Sequence, residues 1–482
     1  MRTVTRFRFR FRLGLVLAVF QLLVMSAVVS AEEAHKRESC RVCGMWIDEY
    51  KKSAAELVYK DGHKEYSCGV ACMLRIITDE GGMSAFSSVK VHDWVSGKLV
   101  DAESATYVLG SDVIPDMVPN YIAFAKREEA EAFAAKEGGD VIDFDVAYRD
   151  ISPVGTTAPF RVRTAVTPGK GAFSVGVVYG YDQKDQVARG TNSTEPDHFI
   201  KANRWQPRSP KETQTQQQAL NVNYSVTDDI ALFVNVPWLE RRLDTVTQPR
   251  PGQFGSNIDN ANGIGDILLE GRYNFWRSTR WDKFGTLLLG TTLPTGQFDG
   301  ARAFDPVSRR NLVTQSPALQ LGKDTATFRG GLLYSQRWKD FWFHGMAIYD
   351  VNPENSQNYA FGDTATVGAA FHYTPNYNLM LGIELDAAYT EKNTDNGYKV
   401  GNTGGTRSNL AFVFDYRFLN AFGGNFKLRG SVGLPIYEDL NYKDAIRPVP
   451  GVGPQPIQQV QLGDGFFAFA AVTWNTRFSP FE

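Results

Sequence analysis

The sequence predicts two structures in one chain: a small α+β domain at the N-terminus, then an all-β, twelve-stranded antiparallel transmembrane β-barrel. Three observations carry this. All four cysteines of the 482 residues, Cys40, Cys43, Cys68 and Cys72, lie near the start, and the long remainder has none. From about residue 171 the chain breaks into segments that alternate strictly between apolar and polar residues, the pattern of strands with one greasy and one wet face. The connections between those segments alternate short and long around an even strand count, as in outer-membrane barrels.

Taken in order, Arg2, Arg6, Arg8, Arg10 and Arg12 precede an apolar run from Leu13 to Val29 that ends Val29-Ser30-Ala31. A basic region, an apolar region and small residues before the cut predict a secretory signal peptide over 1–31. No lipobox precedes a cysteine, so no lipid anchor is expected. The second segment, 32–150, mixes strands and helices. Glu56–Tyr59, an Asp61-Gly62 turn and Lys64–Tyr66 read as a hairpin, followed by a helix from about Gly69 to Ile77. Lys126–Lys136 reads as a second helix stopped by Gly138-Gly139. Residues 151–170 read as a linker, and the barrel is expected over 171–478.

Within the barrel, Ile267, Leu269, Tyr273 and Phe275 share one face while Asp266, Glu270, Arg272 and Asn274 share the other. Strand starts are expected near residues 171, 216, 229, 263, 283, 326, 340, 363, 376, 406, 423 and 464. Turns such as Thr227-Asp228-Asp229 and Thr374-Pro375-Asn376 are tight, whereas Asp182–Thr215, Glu240–Asn262 and Thr295–Thr325 are long and polar. A closed barrel satisfies every backbone N–H and C=O without water, which is why this pattern can cross lipid. The first strand must leave the periplasm, so the tight turns are expected there and the long loops outside. Asp266, Glu270, Arg272, Arg329, Arg337, Glu384, Asp415 and Arg417 are predicted to point inward and wet the lumen. So are His344, Met346, His372 and Met380, placed near the periplasmic mouth on adjacent strands, where a weak soft-metal relay is one hypothesis.

Composition excludes several classes. Lys plus Arg is 51 against 53 Asp plus Glu, for a formal charge of −2, so no basic excess points to nucleic acid. Aromatic residues at 13% argue against a disordered chain. Mean hydropathy of −0.29, with Leu13–Val29 as the one long apolar run, excludes a bundle of membrane helices.

The chemistry sits in the sulfur. Cys40-x-x-Cys43-Gly44-Met45 groups two thiols and a thioether, and Cys68 and Cys72 stand four apart on one face of a helix start. Thiolate and thioether together are soft ligands suited to Cu(I). Disulfides, which an oxidising compartment permits, a structural zinc and thiol exchange at the first pair remain open from spacing alone. His63 and His92 are further nitrogen donors in principle, though surface or turn positions suit each better.

The N-terminal region resembles the NosL family. The resemblance lies in Cys40-x-x-Cys43-Gly44-Met45, Asp61-Gly62, Tyr66–Met73, His92-Asp93-Trp94, Asp101-Ala102, Tyr107-Val108, Asp116-Met117, Ala123-Phe124 and Gly138-Gly139, in that order. It implies Cu(I) binding, with a thiolate from Cys40 or Cys43 and thioethers from Met45 and Met117, and a periplasmic client such as nitrous oxide reductase. Cys68 is an extra thiol beside the more family-like Cys72. The NosL fold is also said to resemble organomercurial lyase, but no lyase chemistry is expected here. The barrel resembles a family named for the meta-pathway of phenol degradation, through Gly263-Ile264-Gly265-Asp266-Ile267, Leu293-Pro294-Thr295-Gly296 and Pro317–Gly322.

Together these predict a non-enzymatic outer-membrane protein that meets lipid through its barrel. Its periplasmic Cu(I) site would draw on Cys40, Cys43, Met45, Cys68, Cys72 and Met117, and would serve copper acquisition, transport or delivery to periplasmic copper proteins. The alternative is a channel for small organic or hydrophobic solutes, with the head as a disulfide- or zinc-stabilised plug or docking module.

Overall fold

Alternating segments that share one apolar face pair edge to edge until the last meets the first, because an open edge in lipid leaves backbone groups without partners. The computed structural model describes residues 37–305, 310–313 and 315–478, so the expected signal peptide lies outside the described residues. Residues 37–150 form the head. One sheet has the strand order β2-β1-β3-β4, from β1 (Ala55–Tyr59), β2 (Lys64–Ser67), β3 (Phe86–His92) and β4 (Leu99–Asp101). A second has the order β6-β5-β7, from β5 (Thr106–Leu109), β6 (Tyr121–Phe124) and β7 (Asp140–Asp143). Helices α1 (Val70–Asp79), α2 (Arg127–Glu137) and α3 (Phe144–Asp150) complete it. The expected hairpin and both expected helices are present. Residues Val70 to Ile77 of α1 are all buried, in the core that also holds the four cysteines.

The barrel strands are β8 (Ala172–Lys184), β9 (Arg208–Ser225), β10 (Ile230–Arg250), β12 (Ile267–Arg277), β13 (Lys283–Leu293), β14 (Phe328–Trp338), β15 (Phe341–Val351), β16 (Thr364–Tyr373), β17 (Leu379–Thr390), β18 (Gly405–Ala421), β19 (Gly424–Leu440) and β20 (Phe466–Arg477). Each pairs antiparallel with the next, and β20 pairs with β8 from Ala172↔Arg477 to Gln183↔Phe466, which closes a twelve-stranded barrel. The strand β11 (Gln253–Ile264) is a thirteenth that pairs with β10 alone.

Two segments expected as loops are largely strand. Glu240–Asn262 continues the ladder as the β10–β11 hairpin, and β9 begins at Arg208, well before residue 216. These extensions are mostly polar, with Leu243, Val246, Phe254 and Ile258 scattered among them, so hydrogen-bonded pairing persists where apolar alternation has stopped.

Outward side chains make the lipid belt. Val177, Leu289, Leu332, Val367, Ile383 and Phe412 are exposed around the waist. Phe275, Trp276, Trp338, Phe341, Tyr373 and Phe478 ring the tight-turn end, and Phe328, Tyr349, Tyr389, Tyr437 and Phe466 ring the other, the aromatic girdles of a membrane barrel.

The segment expected as a linker, 151–170, runs inside the barrel. It leaves α3 at the tight-turn mouth, rises into the lumen and returns to the start of β8. Glu384, fully buried on β17, accepts the backbone N–H groups of Phe160 at 2.8 Å, Arg161 at 2.7 Å and Val162 at 3.2 Å. The Arg161 guanidinium pairs with both oxygens of Asp386, and Arg163 reaches Glu270, which also holds Arg329. On the way down, the Ala165 N–H donates to Ser335 Oγ at 2.9 Å and its carbonyl accepts from Thr286 Oγ1 at 2.6 Å. We call this segment the strap.

The inward charges therefore do more than wet the lumen, since several of them bind the strap. Beside the strap a polar cavity of about 360 Å³ remains, lined in part by Asn221, Asn223, Arg272, Asp415 and Lys427. His344, Met346, His372 and Met380 are all buried inside, as the alternation predicts. Thr157 Oγ1 bridges His344 Nε2 (2.8 Å) and His372 Nδ1 (3.0 Å), and Ser335 Oγ meets His344 Nδ1 at 2.8 Å. His344 thus joins the strap through Nε2 and the barrel wall through Nδ1.

Candidate metal centre

The Cys40–Met45 loop closes on itself. The Cys40 N–H donates to the Met45 carbonyl at 2.8 Å, the Gly44 N–H donates to the Cys40 carbonyl at 2.7 Å, and Gly44 takes φ +81°, a conformation that favours glycine. The loop thereby brings Cys40 and Cys43 to one side. Opposite them, Cys68 ends β2's approach to α1 and Cys72 sits one turn on, in the first turn of α1. Ser53 Oγ donates to the Cys68 carbonyl at 2.9 Å and fixes this end.

The two pairs meet. All four sulfurs lie within 4.8 Å of one another, with Cys43 to Cys68 at 3.3 Å and Cys68 to Cys72 at 3.7 Å. All four are free thiols and no more than 4% exposed. Four sulfurs bound at about 2.3 Å to one metal stand about 3.8 Å apart, so the set fits a tetrahedral thiolate site. Met117 Sδ adds a fifth sulfur 3.5 Å from Cys72 Sγ. Met45 is buried in the same core, and the link described above is its carbonyl bond to Cys40. His92 Nδ1 contacts the Ala54 carbonyl at 2.7 Å, and His63 is exposed at its turn, so each keeps an ordinary structural place.

Hydrogen bonds from the neighbouring thiols hold Cys40 well below the ordinary thiol range. The same contacts, with burial, push Cys68 and Cys72 well above it. The cluster thus favours charge on Cys40 over Cys68 and Cys72, and a metal that engages all four thiols would have to displace their protons. Burial pushes the Asp116 carboxyl up to about 7, opposed by Arg477 and Arg75. Asp116 packs on Gly69 just ahead of α1, where no side chain would fit.

Several neighbours of the centre were not singled out by the motifs, because they come from the far end of the chain. Asn425 Nδ2 donates to the Cys43 carbonyl at 2.9 Å, Asn420 Nδ2 to the Arg41 carbonyl at 2.6 Å, and Tyr50 Oη to the Arg477 carbonyl at 3.0 Å. Gly44 lies directly on the Gly424 carbonyl, and Gly423 on the Trp46 ring. The barrel mouth thus clamps the loop that carries Cys40 and Cys43.

Gly44→Ala is expected to lift this clamp. The left-handed backbone costs alanine about 1–2 kcal/mol, and its Cβ would strike Gly424. Maleimide labelling of the cysteines should accelerate by about tenfold or more, the factor that 1.4 kcal/mol of easier opening gives. An unchanged labelling rate would show that the clamp does not limit access.

Comparison with known sequences agrees with this division. Residues 31–152 match the NosL family, and residues 202–438 match the family described by the MetA-pathway of phenol degradation. The copper-binding lipoprotein NosL of Stutzerimonas stutzeri is 32% identical over 119 residues, covering 23% of this chain and 62% of that protein. The chain therefore spans about three fifths of that relative's length. Among solved structures, an outer membrane channel from Pseudomonas putida F1 aligns with a TM-score of 0.44 at 14% identity, covering 66% of this chain and 100% of that one. The copper chaperone NosL from Shewanella denitrificans aligns with a TM-score of 0.21 at 26% identity, covering 22% of this chain and 87% of that one. The chain joins an N-terminal region that is similar to the NosL family, placed on the periplasmic side, to an outer-membrane β-barrel whose sequence is similar to the phenol-degradation MetA family.

Proposed function

We propose that the protein handles copper at the outer membrane, with the head binding Cu(I) beneath the barrel. The observation that carries this reading is the convergence of Cys40, Cys43, Cys68 and Cys72 to within 4.8 Å in a buried site. Four thiolates alone would suit zinc as well. The Met117 thioether at 3.5 Å from Cys72 tips the donor set toward the softer ion. Met45, buried next to the loop, is kept as a second thioether candidate that could turn in on loading. The site binds without turnover, and its cargo would pass to or from periplasmic copper proteins, a nitrous oxide reductase-type client among them.

The test is metal analysis of the full-length protein, purified in detergent without oxygen, followed by competition against a chromophoric Cu(I) chelator. Tight, stoichiometric Cu(I) is expected. Protein that carries zinc only, or that has lost its thiols to disulfides and takes no copper, would overturn the reading.

The cavity beside the strap supports a second reading, in which the barrel admits a small polar solute. Solute-dependent swelling of proteoliposomes, unaffected by loss of the cysteines, would favour it.

A further inference from the structure

We propose that Arg75 of the head and Arg417 and Arg477 of the barrel form a cationic seat for the thiolate–metal centre, so that the metal site belongs jointly to both halves of the chain. This rests on the copper reading and specifies which residues outside the donor set hold the bound ion.

The case begins with charge. One monovalent ion among four thiolates leaves three negative charges in a buried place, and buried charge is retained only where opposite charge or hydrogen bonds meet it. Three guanidiniums bear on the cluster. Arg75, on α1 one turn beyond Cys72, is 3% exposed; its Nη1 meets Met117 Sδ at 3.3 Å and its Nε donates to the Ser152 carbonyl at 2.9 Å. Arg417, near the periplasmic end of β18, lies within electrostatic reach of Cys43 and Cys72. Arg477, the last residue of β20, is 6% exposed and lies within reach of Cys68 and Asp116.

The second observation is what these arginines lack. Arg75 Nη2, Arg417 Nε and Nη1, and Arg477 Nε and Nη1 are buried donors with no hydrogen-bond partner. Elsewhere in the lumen, Arg161 and Arg329 are paired in forks to Asp386 and Asp350, and Arg272, Arg337 and Arg429 each leave only Nε without a partner. Buried orphan donors gathered at one place call for an anion there. A metal–tetrathiolate supplies one, and sulfur bound to metal accepts N–H hydrogen bonds that tune the ion. Asp116, Asp228 and Asp415 stand near these cations, but none of them accepts from an orphan donor.

The seat is tested by Cu(I) competition on the full-length protein in detergent. Arg417→Gln/Arg477→Gln should keep the stoichiometry and weaken the affinity about 10- to 100-fold, the usual cost of removing such supports. It should also shift the thiolate-to-copper absorption band. Arg417→Lys/Arg477→Lys should return affinity to within about threefold of the parent, since charge is restored without the fork. Heat-modifiable gel mobility reports whether each barrel has folded. If the double variant does not fold, Arg417→Gln and Arg477→Gln are measured singly, each expected to cost about three- to tenfold, roughly half the pair's effect on a logarithmic scale. Parent-like binding in the glutamine variants, or lysine variants as weak as the glutamine ones, would overturn the seat and leave the copper reading standing. Failure of the parent protein to bind copper would bring down both.

Discussion

Full-length protein with Cys68→Ser and Cys72→Ser is expected to hold under about a tenth of an equivalent of metal where the parent holds about one, because a serine hydroxyl is neither soft nor ionised near neutral pH. The two substitutions remove one side of the cluster and with it the thiol that Met117 adjoins, leaving Cys40 and Cys43 as a single pair. Shape is nearly kept, so the head should still fold. What it loses is the stabilisation that binding confers, about 4 kcal/mol when the free ion stands at a thousand times its dissociation constant. Parent protein should therefore melt at a higher temperature with Cu(I) than without, and the double variant should show no such difference. A double variant that keeps its copper through a desalting column would remove these residues from the site.

Glu384→Ala is expected to release the strap. The Glu384 carboxylate is fully buried and accepts three successive backbone N–H groups, so its loss leaves three amides without partners inside the lumen. Breaking a buried charge–dipole cluster of this kind costs on the order of 4 kcal/mol. That corresponds to about a thousandfold in an opening equilibrium. Hydrogen exchange read by mass spectrometry should show the peptide around Phe160–Val162 protected in the parent and exchanging about a thousandfold faster in the variant, in line with that estimate. Barrel strands far from β17 should be unaffected. Unchanged protection at Phe160–Val162 would mean that Arg161–Asp386 and the Thr157 bridge hold the strap unaided.

Most of the architecture could be read from residue patterns because a barrel is written locally. The period-two alternation in Ile267–Phe275 and Leu410–Phe418 reports the lipid face of each strand without reference to any other. The β10–β11 hairpin escaped because, above the lipid, pairing no longer demands an apolar face. The strap escaped for a different reason. Its Pro, Thr and Gly content carries no periodicity, and its anchors, Glu384, Asp386 and Ser335, are side chains far along the chain.

The metal centre divides in the same way. The Cys40–Met45 loop and the Cys68–Cys72 pair were each visible as local spacings. Their meeting is tertiary, set by how α1 lies against the loop. Arg417 and Arg477 were legible only as inward or terminal strand charges, since nothing near them in sequence speaks of sulfur. Placement of His344 and His372 inside the barrel followed from alternation, while their bond to Thr157 did not.

The contact of Gly44 with Gly424 bears on how this polypeptide could have come together from two parts. Gly44 has no room for a side chain and sits in a left-handed turn, and Gly424 is hemmed in by its own neighbours on β20. A head with any side chain at position 44 would strike the Gly424 carbonyl of this barrel, whereas a side chain at 424 would first meet Asn475 and Trp474 of the barrel itself. Position 44 is thus held to glycine twice, by its own turn and by the barrel mouth, and a fusion that keeps the two halves docked in this way is expected to keep it.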